Sequence, residues 1–251
     1  MKKSPIHLTL SRCIGMPKLL IYLAVWRRPE ITEICFMGID RLRKSGLAPI
    51  DALAVISESS MIDLCNKYRI DYVMHKNYPL GEKKNAGLRR ALEKGFDYLI
   101  DIGSDDLLKN EYLNLYPWTD DVYGLRDFVM LNSEDGECRK VNERVGRYGV
   151  GRAISRRAVE SLGTLWNEKQ GRGLDNYSEM KLAGNGFLMK AVSSPDPVAI
   201  DIKGPENLWP FNYLDGSKYE LHTALRGLSE QEKTAIRCLV SSKTSGHLIG
   251  A

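Results

Sequence analysis

Residues Lys18–Trp26 read KLLIYLAVW, with no charged residue between Leu19 and Val25. A run this short does not span a bilayer. Without polar alternation it predicts a strand buried on both faces of a parallel sheet. Parallel strands need crossover connections, usually helical ones, and the following residues supply one. Pro29 suits the first helical position, and Glu30 and Glu33 fall where carboxylates complement the helix dipole. Ile31, Ile34, Cys35, Gly38 and Leu42 recur at helical spacing. Arg41, Arg43 and Lys44 crowd the last turn, and Gly46 closes it.

The alternation continues. Asp51–Ser57 is a second strand, Met61, Leu64, Cys65 and Tyr68 form a helical stripe, and Ile70–His75 is a third strand. A Pro79-Leu80-Gly81 turn leads into a helix over Glu82–Lys94, ended by Gly95, and Asp97–Ile102 is a fourth strand. This order predicts βαβ units with right-handed crossovers, a Rossmann-like layer. After Asp106 the pattern loosens. Val122–Met130 reads as a strand, Glu134–Glu137 as a turn, and Ser155–Leu162 and Asp175–Leu182 as helices. Ala191–Ile202 holds a strand interrupted by Pro195 and Pro197. Ser229 and Glu232 form a capping box that opens a helix to about Val240, and Ser241–Ala251 is expected to fray.

The 251 residues suit one large α/β domain. Its expected parts are an N-terminal extension (1–17), a first half (18–106), a second half (107–228) and a C-terminal helix and tail (229–251). A net charge of +4 does not by itself imply nucleic acid. The five cysteines contain no C-x-x-C pair, which speaks against a zinc knuckle and for reduced, buried thiols in a cytoplasmic protein. No apolar run reaches the ~20 residues of a membrane span, and residues 1–16 lack the apolar centre of a signal peptide.

Candidate site residues gather at strand ends. The fourth strand runs into Gly103-Ser104-Asp105-Asp106. Ligands bind at the carboxyl ends of such strands, and adjacent carboxylates suit a hard divalent cation that keeps phosphates as co-ligands. The plainer reading is a turn built from turn-forming residues. Arg27 and Arg28 follow the first strand; two cations at a helix N-terminus oppose its dipole unless an anion sits there. A solvated turn is the alternative. Ser57 and Glu58 follow the second strand, where an acid can bind a base imide or a ribose hydroxyl, or a serine can simply cap the next helix. Lys84 and Asn85 lie one turn before Leu88 on the inward helix face, where both need partners. Asp175 is either a helix N-cap or a general base. His222 is a candidate third metal ligand or a structural histidine. Between Arg139 and Arg157 lie seven basic residues and one acid, either anion ligands or a solvated face.

Taken together, these residues resemble the GT-A glycosyltransferases, particularly small family-2-like enzymes of bacteria and phages. The resemblance covers about residues 18–190. It rests on Arg28-Pro29-Glu30, Ser57-Glu58, Leu80-Gly81-x-Lys83-Lys84-Asn85-x-Gly87, Ser104-Asp105-Asp106, Gly151-x-x-x-Ile154-Ser155-Arg156 and Gly173-Leu174-Asp175. It implies a single-domain α/β fold with a mostly parallel, Rossmann-like central sheet flanked by helices. It further implies a nucleotide-sugar donor, uridine-linked, and Mn²⁺ or Mg²⁺ on the diphosphate. Residues 18–106 would bind the donor through Arg27, Arg28, Ser57, Glu58, Lys84, Asn85 and Ser104. Asp105 and Asp106 would hold the metal, with His222 as a further candidate, and Asp175 would be the base of an inverting transfer. Gly103 stands where the first aspartate of the D-x-D element often lies, which leaves metal binding resting on one carboxylate with water. The acceptor stays open among a glycan, a lipid-linked sugar, a protein side chain and a modified DNA base. Two other readings stand beside this one: a sugar-nucleotide nucleotidyltransferase, and a nucleic-acid-binding module on a degenerate transferase fold.

Overall fold

The first apolar run becomes strand β1 (Leu19–Val25), whose side chains are almost wholly shielded from solvent on both faces. The computed structural model describes residues 15–142 and 148–246. Residues 1–14, Arg144 and Arg147 of the basic segment, and residues 247–251 of the tail lie outside that range.

Chain order through the first half is α1 (Pro29–Lys44), β2 (Ile50–Ile56), α2 (Ile62–Lys67), β3 (Asp71–Met74), α3 (Leu80–Glu93) and β4 (Tyr98–Gly103). Helix α3 starts at Leu80, so the expected turn is already its first residues. Strands β1, β2, β3 and β4 pair in parallel in the order β3-β2-β1-β4. The chain therefore steps outward from β1 to β3 and then returns to the other side of β1. The crevice between the carboxyl ends of β1 and β4 is the topological switch point, the ligand site of open α/β sheets.

The remaining elements are β5 (Asp106–Leu108), β6 (Val122–Leu125), β7 (Asp127–Asn132), β8 (Cys138–Asn142), β9 (Arg152–Ser155), α4 (Arg156–Leu162), α5 (Leu174–Gly184), β10 (Met189–Val192), β11 (Ala199–Lys203), β12 (Ser217–Tyr219), α6 (Leu221–Ala224) and α7 (Glu230–Gly246). The seven-stranded central sheet runs β10-β6-β9-β4-β1-β2-β3, with β9 antiparallel to both neighbours. A second sheet of five strands, β12-β8-β7-β11-β5, was not anticipated. One expectation is corrected by it. The single strand read over Val122–Met130 is two strands in different sheets, broken at the exposed Arg126. The interruption expected at Pro195 and Pro197 does separate two strands, β10 in the central sheet and β11 in the second.

The core explains the layering. Leu19, Ile21 and Leu23 face Cys35, Phe36 and Ile39 of α1, whereas Leu20 and Tyr22 face Leu88 and Ala91 of α3 and Ala158 and Val159 of α4. The two-residue period of a strand divides β1 between the layers. Gly87 permits the close fit of α3, since a Cβ there would stand 2.1 Å from Val55 and 2.5 Å from the Tyr22 hydroxyl. The second sheet turns Phe128 and Met130 toward the main core and Val129, Leu131, Ile200 and Ile202 toward α1, α6 and α7. Helix α7 starts with the expected capping box: Ser229 Oγ accepts from Glu232 N–H (3.2 Å) and Glu232 Oε2 accepts from Ser229 N–H (2.7 Å). It runs past Val240 to Gly246 instead of fraying there. The buried Glu232 also pairs with Arg41 at 2.8 Å, which fixes α7 on α1. Cys35, Cys65 and Cys138 are buried free thiols, and Cys238 is an exposed one. Among the described residues no helix is long and apolar enough to cross a membrane.

Candidate functional site

Strand β4 ends at Gly103, and the chain turns there so that both following carboxylates fold back over the strand end. Gly103 N–H donates to Asp106 Oδ2 at 2.5 Å. A Cβ at residue 103 would stand 2.3 Å from Asp105 Oδ1 and 3.2 Å from Asp106 Oδ2. Asp105 and Asp106 thus occupy the space that an aspartate side chain at 103 would need. The missing carboxylate comes from elsewhere: Asp201 on β11 lies directly opposite Asp106 on the antiparallel β5, and oxygens of Asp105, Asp106 and Asp201 lie within 4.8 Å of one another. All three are buried.

Like charges opposed across a ladder repel, so the cluster needs cations. Two are built in. Arg28 Nη1 lies 3.1 Å from Asp105 Oδ2, and its Nη2 donates to Ser104 Oγ at 3.1 Å. Lys203 Nζ lies 2.6 Å from Asp201 and 4.0 Å from Asp105. Asn207 also donates to Asp105. Burial works to raise the Asp105 carboxyl, but Lys203 and Arg28 outweigh it and hold it below the usual range. Burial, then Asp201 and Asp105, push Asp106 well above that range. Burial pushes Asp201 up to about 6, with Lys203 opposing and Asp105 adding. Three acids share two cations, so without a metal the raised Asp106 keeps its proton, and Asp201 Oδ1 is buried with no hydrogen-bond partner. Neutral donors would satisfy such an oxygen; a divalent cation satisfies it and the surplus acid together. The residues present therefore fit a hard metal ion.

Arg28 is brought here by backbone strain. Arg27 (φ 55°) and Arg28 (φ 56°) both adopt the left-handed conformation, at about 1–2 kcal/mol each for a residue with a Cβ. Glu58 supports the turn by accepting from Arg27 N–H at 2.9 Å, while the Arg27 guanidinium lies over Trp26, 4.4 Å from its centroid. Glu58 thus holds backbone. Ser57 Oγ is buried without a partner.

A cavity of about 310 Å³ joins the acid cluster to Asp175. The N-cap of α5 is Gly173 (φ 67°), so Asp175 is not the cap; it sits in the first turn and accepts from Gly149 N–H at 3.1 Å. The buried Arg152 braces that turn through Asp175 O (3.2 Å) and Ser178 Oγ (2.5 Å). Lys84 does face the same cavity, but its Nζ donates to both oxygens of the buried Asp101 at 2.8 Å and lies 4.2 Å from the centroid of Trp166. Asn85 is occupied by backbone. Its amide donates to Trp166 O at 2.7 Å, and its oxygen accepts from Leu165 and Trp166 N–H at 3.1 and 3.2 Å.

A second cavity of about 580 Å³ adjoins the first along Ala24, Arg28, Leu80 and Arg172 and reaches Trp26 and Asn77. Lys83 lines it. Its Nζ donates to Val25 O (2.6 Å) and Asn77 Oδ1 (3.1 Å), and burial lowers the ammonium to about 8 against the pull of Glu58.

His222 is not brought to the acids. It is exposed on α6, its Nε2 lies 3.1 Å from Thr223 Oγ1, and Asp201 takes the third place. The basic segment also disperses. Arg139 pairs with Glu137 (2.7 Å), Lys140 with Asp127 (3.7 Å), Arg156 with Glu160 (2.6 Å) and Arg157 with Asp121, while Arg152 is inside. Its described members form no free cationic face. Asp201, Lys203 and Asn207 were missed. The available signal was Ala199-Ile200-Asp201-Ile202-Lys203, a strand whose alternate face is charged.

No family model matches the chain, and no curated protein matches it in sequence. Solved structures match it in shape. A mannosyltransferase from Pyrobaculum calidifontis, in complex with GDP-Man and Mn²⁺, aligns over 94% of this chain and 76% of its own with a TM-score of 0.50 at 13% identity. The inositol-1-phosphate CTP transferase from T. maritima aligns over 86% of this chain and 99% of its own with a TM-score of 0.51 at 14% identity. The likeness is one of fold: a mixed α/β domain with a mostly parallel central sheet, GT-A-like, shared by sugar and nucleotidyl transferases.

Proposed function

We propose that this chain is a metal-dependent glycosyltransferase that moves a sugar from a nucleoside-diphosphate sugar to an acceptor hydroxyl with inversion. One observation carries the reading: at the switch point, Asp105, Asp106 and Asp201 form a buried cluster with more acids than cations and an orphaned oxygen, beside a strained Arg28. Mn²⁺ or Mg²⁺ held by these carboxylates would neutralise the charge of the departing diphosphate. Arg28, steadied by Ser104, is placed to meet the same diphosphate. The adjoining cavity beside Trp26 and Lys83 has room for the nucleoside, and the family resemblance supports uridine. Asp175 takes the proton of the acceptor hydroxyl as its oxygen bonds to the anomeric carbon and the carbon–phosphate oxygen bond breaks. The Gly149 N–H fixes the orientation of that carboxylate.

Nucleotidyl transfer is compatible with the fold, but the segment after β1, Trp26-Arg27-Arg28-Pro29, has no glycine with which to wrap a triphosphate. The test is thermal stability against a panel of nucleoside diphosphates with and without Mn²⁺ or Mg²⁺. One nucleotide is expected to stabilise the protein only with metal, by about 2.7 kcal/mol at one hundred times its dissociation constant. If no nucleotide shifts the transition, the transferase reading fails. Pyrophosphate release from a nucleoside triphosphate and a sugar phosphate would replace it with nucleotidyl transfer.

A further inference from the structure

Trp209 and Tyr213 are stacked on each other, ring centroids 4.1 Å apart and 29° from parallel. They are 38% and 54% exposed, at the mouth of the cavity that holds Asp175 and the acid cluster. Exposed rings add nothing to the core, yet this pair is held firmly. Asn207 Oδ1 accepts from Gly204 N–H at 2.8 Å while the same amide donates to Asp105, which pins one end of the loop to the acids. Phe211 is buried beneath the Arg139 guanidinium, 4.6 Å from its centroid, which pins the other end. Just past Phe211, Tyr213 N–H reaches back and donates to Pro210 O at 2.9 Å. The rings are thus pre-positioned, and pre-positioning lowers the entropy lost on binding. Arg172, with Asn176 also in the lining, brings polar donors to the same mouth, its guanidinium 5.9 Å from the Trp209 centroid.

We infer that Trp209 and Tyr213 form the acceptor platform and that the acceptor is a carbohydrate, a pyranose ring laid on the aromatic face with its hydroxyl rim toward Arg172 and Asn176. This rests on the glycosyltransferase reading, since it assigns the second substrate of the same site. A pyranose has one apolar C–H face and a polar edge, and the C–H face matches the electron-rich face of an aromatic ring. A flat nucleobase also stacks, but a nucleic-acid acceptor needs cations along its phosphates, and every described basic residue of the 139–157 segment is paired or buried.

The test is isothermal titration calorimetry of the full chain, a readout that substitution of Trp209 leaves intact. The chain is titrated with methyl glycosides of glucose, galactose, mannose and N-acetylglucosamine, with their oligosaccharides, and separately with deoxynucleosides. At least one saccharide is expected to bind saturably. Trp209→Ala is expected to weaken that saccharide about tenfold and Trp209→Phe about threefold or less, a ring-stacking effect. Circular dichroism confirms that each variant is folded. If no saccharide binds, or only deoxynucleosides do, or Trp209→Ala binds as tightly as the parent, the platform inference falls. The nucleotide–metal stability assay, run on the same protein, separates the two ideas: a positive nucleotide shift without saccharide binding removes only the platform. Saccharide binding at Trp209 without any nucleotide shift removes the transferase reading and with it the acceptor role, and leaves a saccharide site alone.

Discussion

Two buried carboxylate sites lie within a few residues of each other on the edge of β4, and they are built on opposite plans. Asp101 is closed: Lys84 meets both of its oxygens at 2.8 Å, and Trp166 roofs the ammonium. The Asp105–Asp106–Asp201 cluster is open: its cations are fewer than its acids, and Asp201 Oδ1 has no partner. A charge pair that satisfies itself holds the fold and has nothing left to offer a ligand. A cluster that does not satisfy itself weakens the metal-free fold and keeps its unmet electrostatic demand for something from outside. The difference assigns structure to the first site and chemistry to the second.

The largest effect should come from opening the closed site. Lys84→Met leaves Asp101 buried and uncompensated, which costs about 3–5 kcal/mol when one partner of a buried pair is removed. Burial already raises the Asp101 carboxyl and Lys84 counteracts it, so in the variant the folded-state pKa rises further. A carboxyl raised in the folded state loses stability as pH climbs through that pKa, so the deficit should be large at neutral pH and shrink on acidification. Urea unfolding across pH measures it, and the Lys84→Met/Asp101→Asn double variant should recover part of the loss. A singly substituted protein with parental stability but weakened nucleotide binding would make Lys84 a ligand residue and erase the distinction.

Removing an acid from the open site should cost far less. Asp201 titrates in the folded protein at about 6, above its unfolded value, so without metal its contribution falls as pH rises toward and through 6. Asp201→Asn should remove that slope. It relieves a raised carboxyl but takes from the buried Lys203 its 2.6 Å partner, leaving Asp105 at 4.0 Å. The two terms offset, so metal-free stability at pH 7 should change by no more than about 1 kcal/mol. The same substitution should abolish the metal-dependent nucleotide shift. In the parent protein metal affinity should weaken below about pH 6, because ligand oxygens must shed protons to bind. Calorimetric unfolding with and without Mn²⁺ reads all of these, and a metal-free variant destabilised as much as Lys84→Met would place Asp201 among the structural acids.

The closed site was partly legible in the sequence and the open one only half so, for a physical reason. Lys84 and Asn85 fall on the inward face of α3 by local periodicity, and inward polar groups must find partners; periodicity does not say whether those partners are ligands. They are Asp101 and the Leu165–Trp166 backbone. The first four strands announce themselves through local apolar runs. The second sheet does not: β5 is three residues long and is defined by β11, far along the chain. Asp201 could be placed opposite Asp106 only by knowing that pairing. Gly103 likewise looked like a missing ligand, whereas the folded turn needs the space a side chain would fill. The split at Arg126 was hidden because both neighbouring segments are apolar and only tertiary pairing assigns them to different sheets.

The smallest effect separates support from charge within the open site. Ser104 is buried, and its Oγ accepts from Arg28 Nη2 at 3.1 Å. In Ser104→Ala, Arg28 keeps its 3.1 Å pairing with Asp105 but loses one of its two restraints. A single hydrogen bond contributes about 0.5–1.5 kcal/mol net, so nucleotide-diphosphate affinity should fall about threefold to tenfold. Metal-free stability should fall by no more than about 1 kcal/mol, because the orphaned guanidinium edge faces a cavity that water can fill. Titration calorimetry with the nucleotide that stabilises the parent, at fixed Mn²⁺, gives the first quantity, and urea unfolding gives the second. An affinity unchanged within twofold would mean that Arg28 serves only to neutralise Asp105, and the open site would then receive its diphosphate through metal and Lys203 alone.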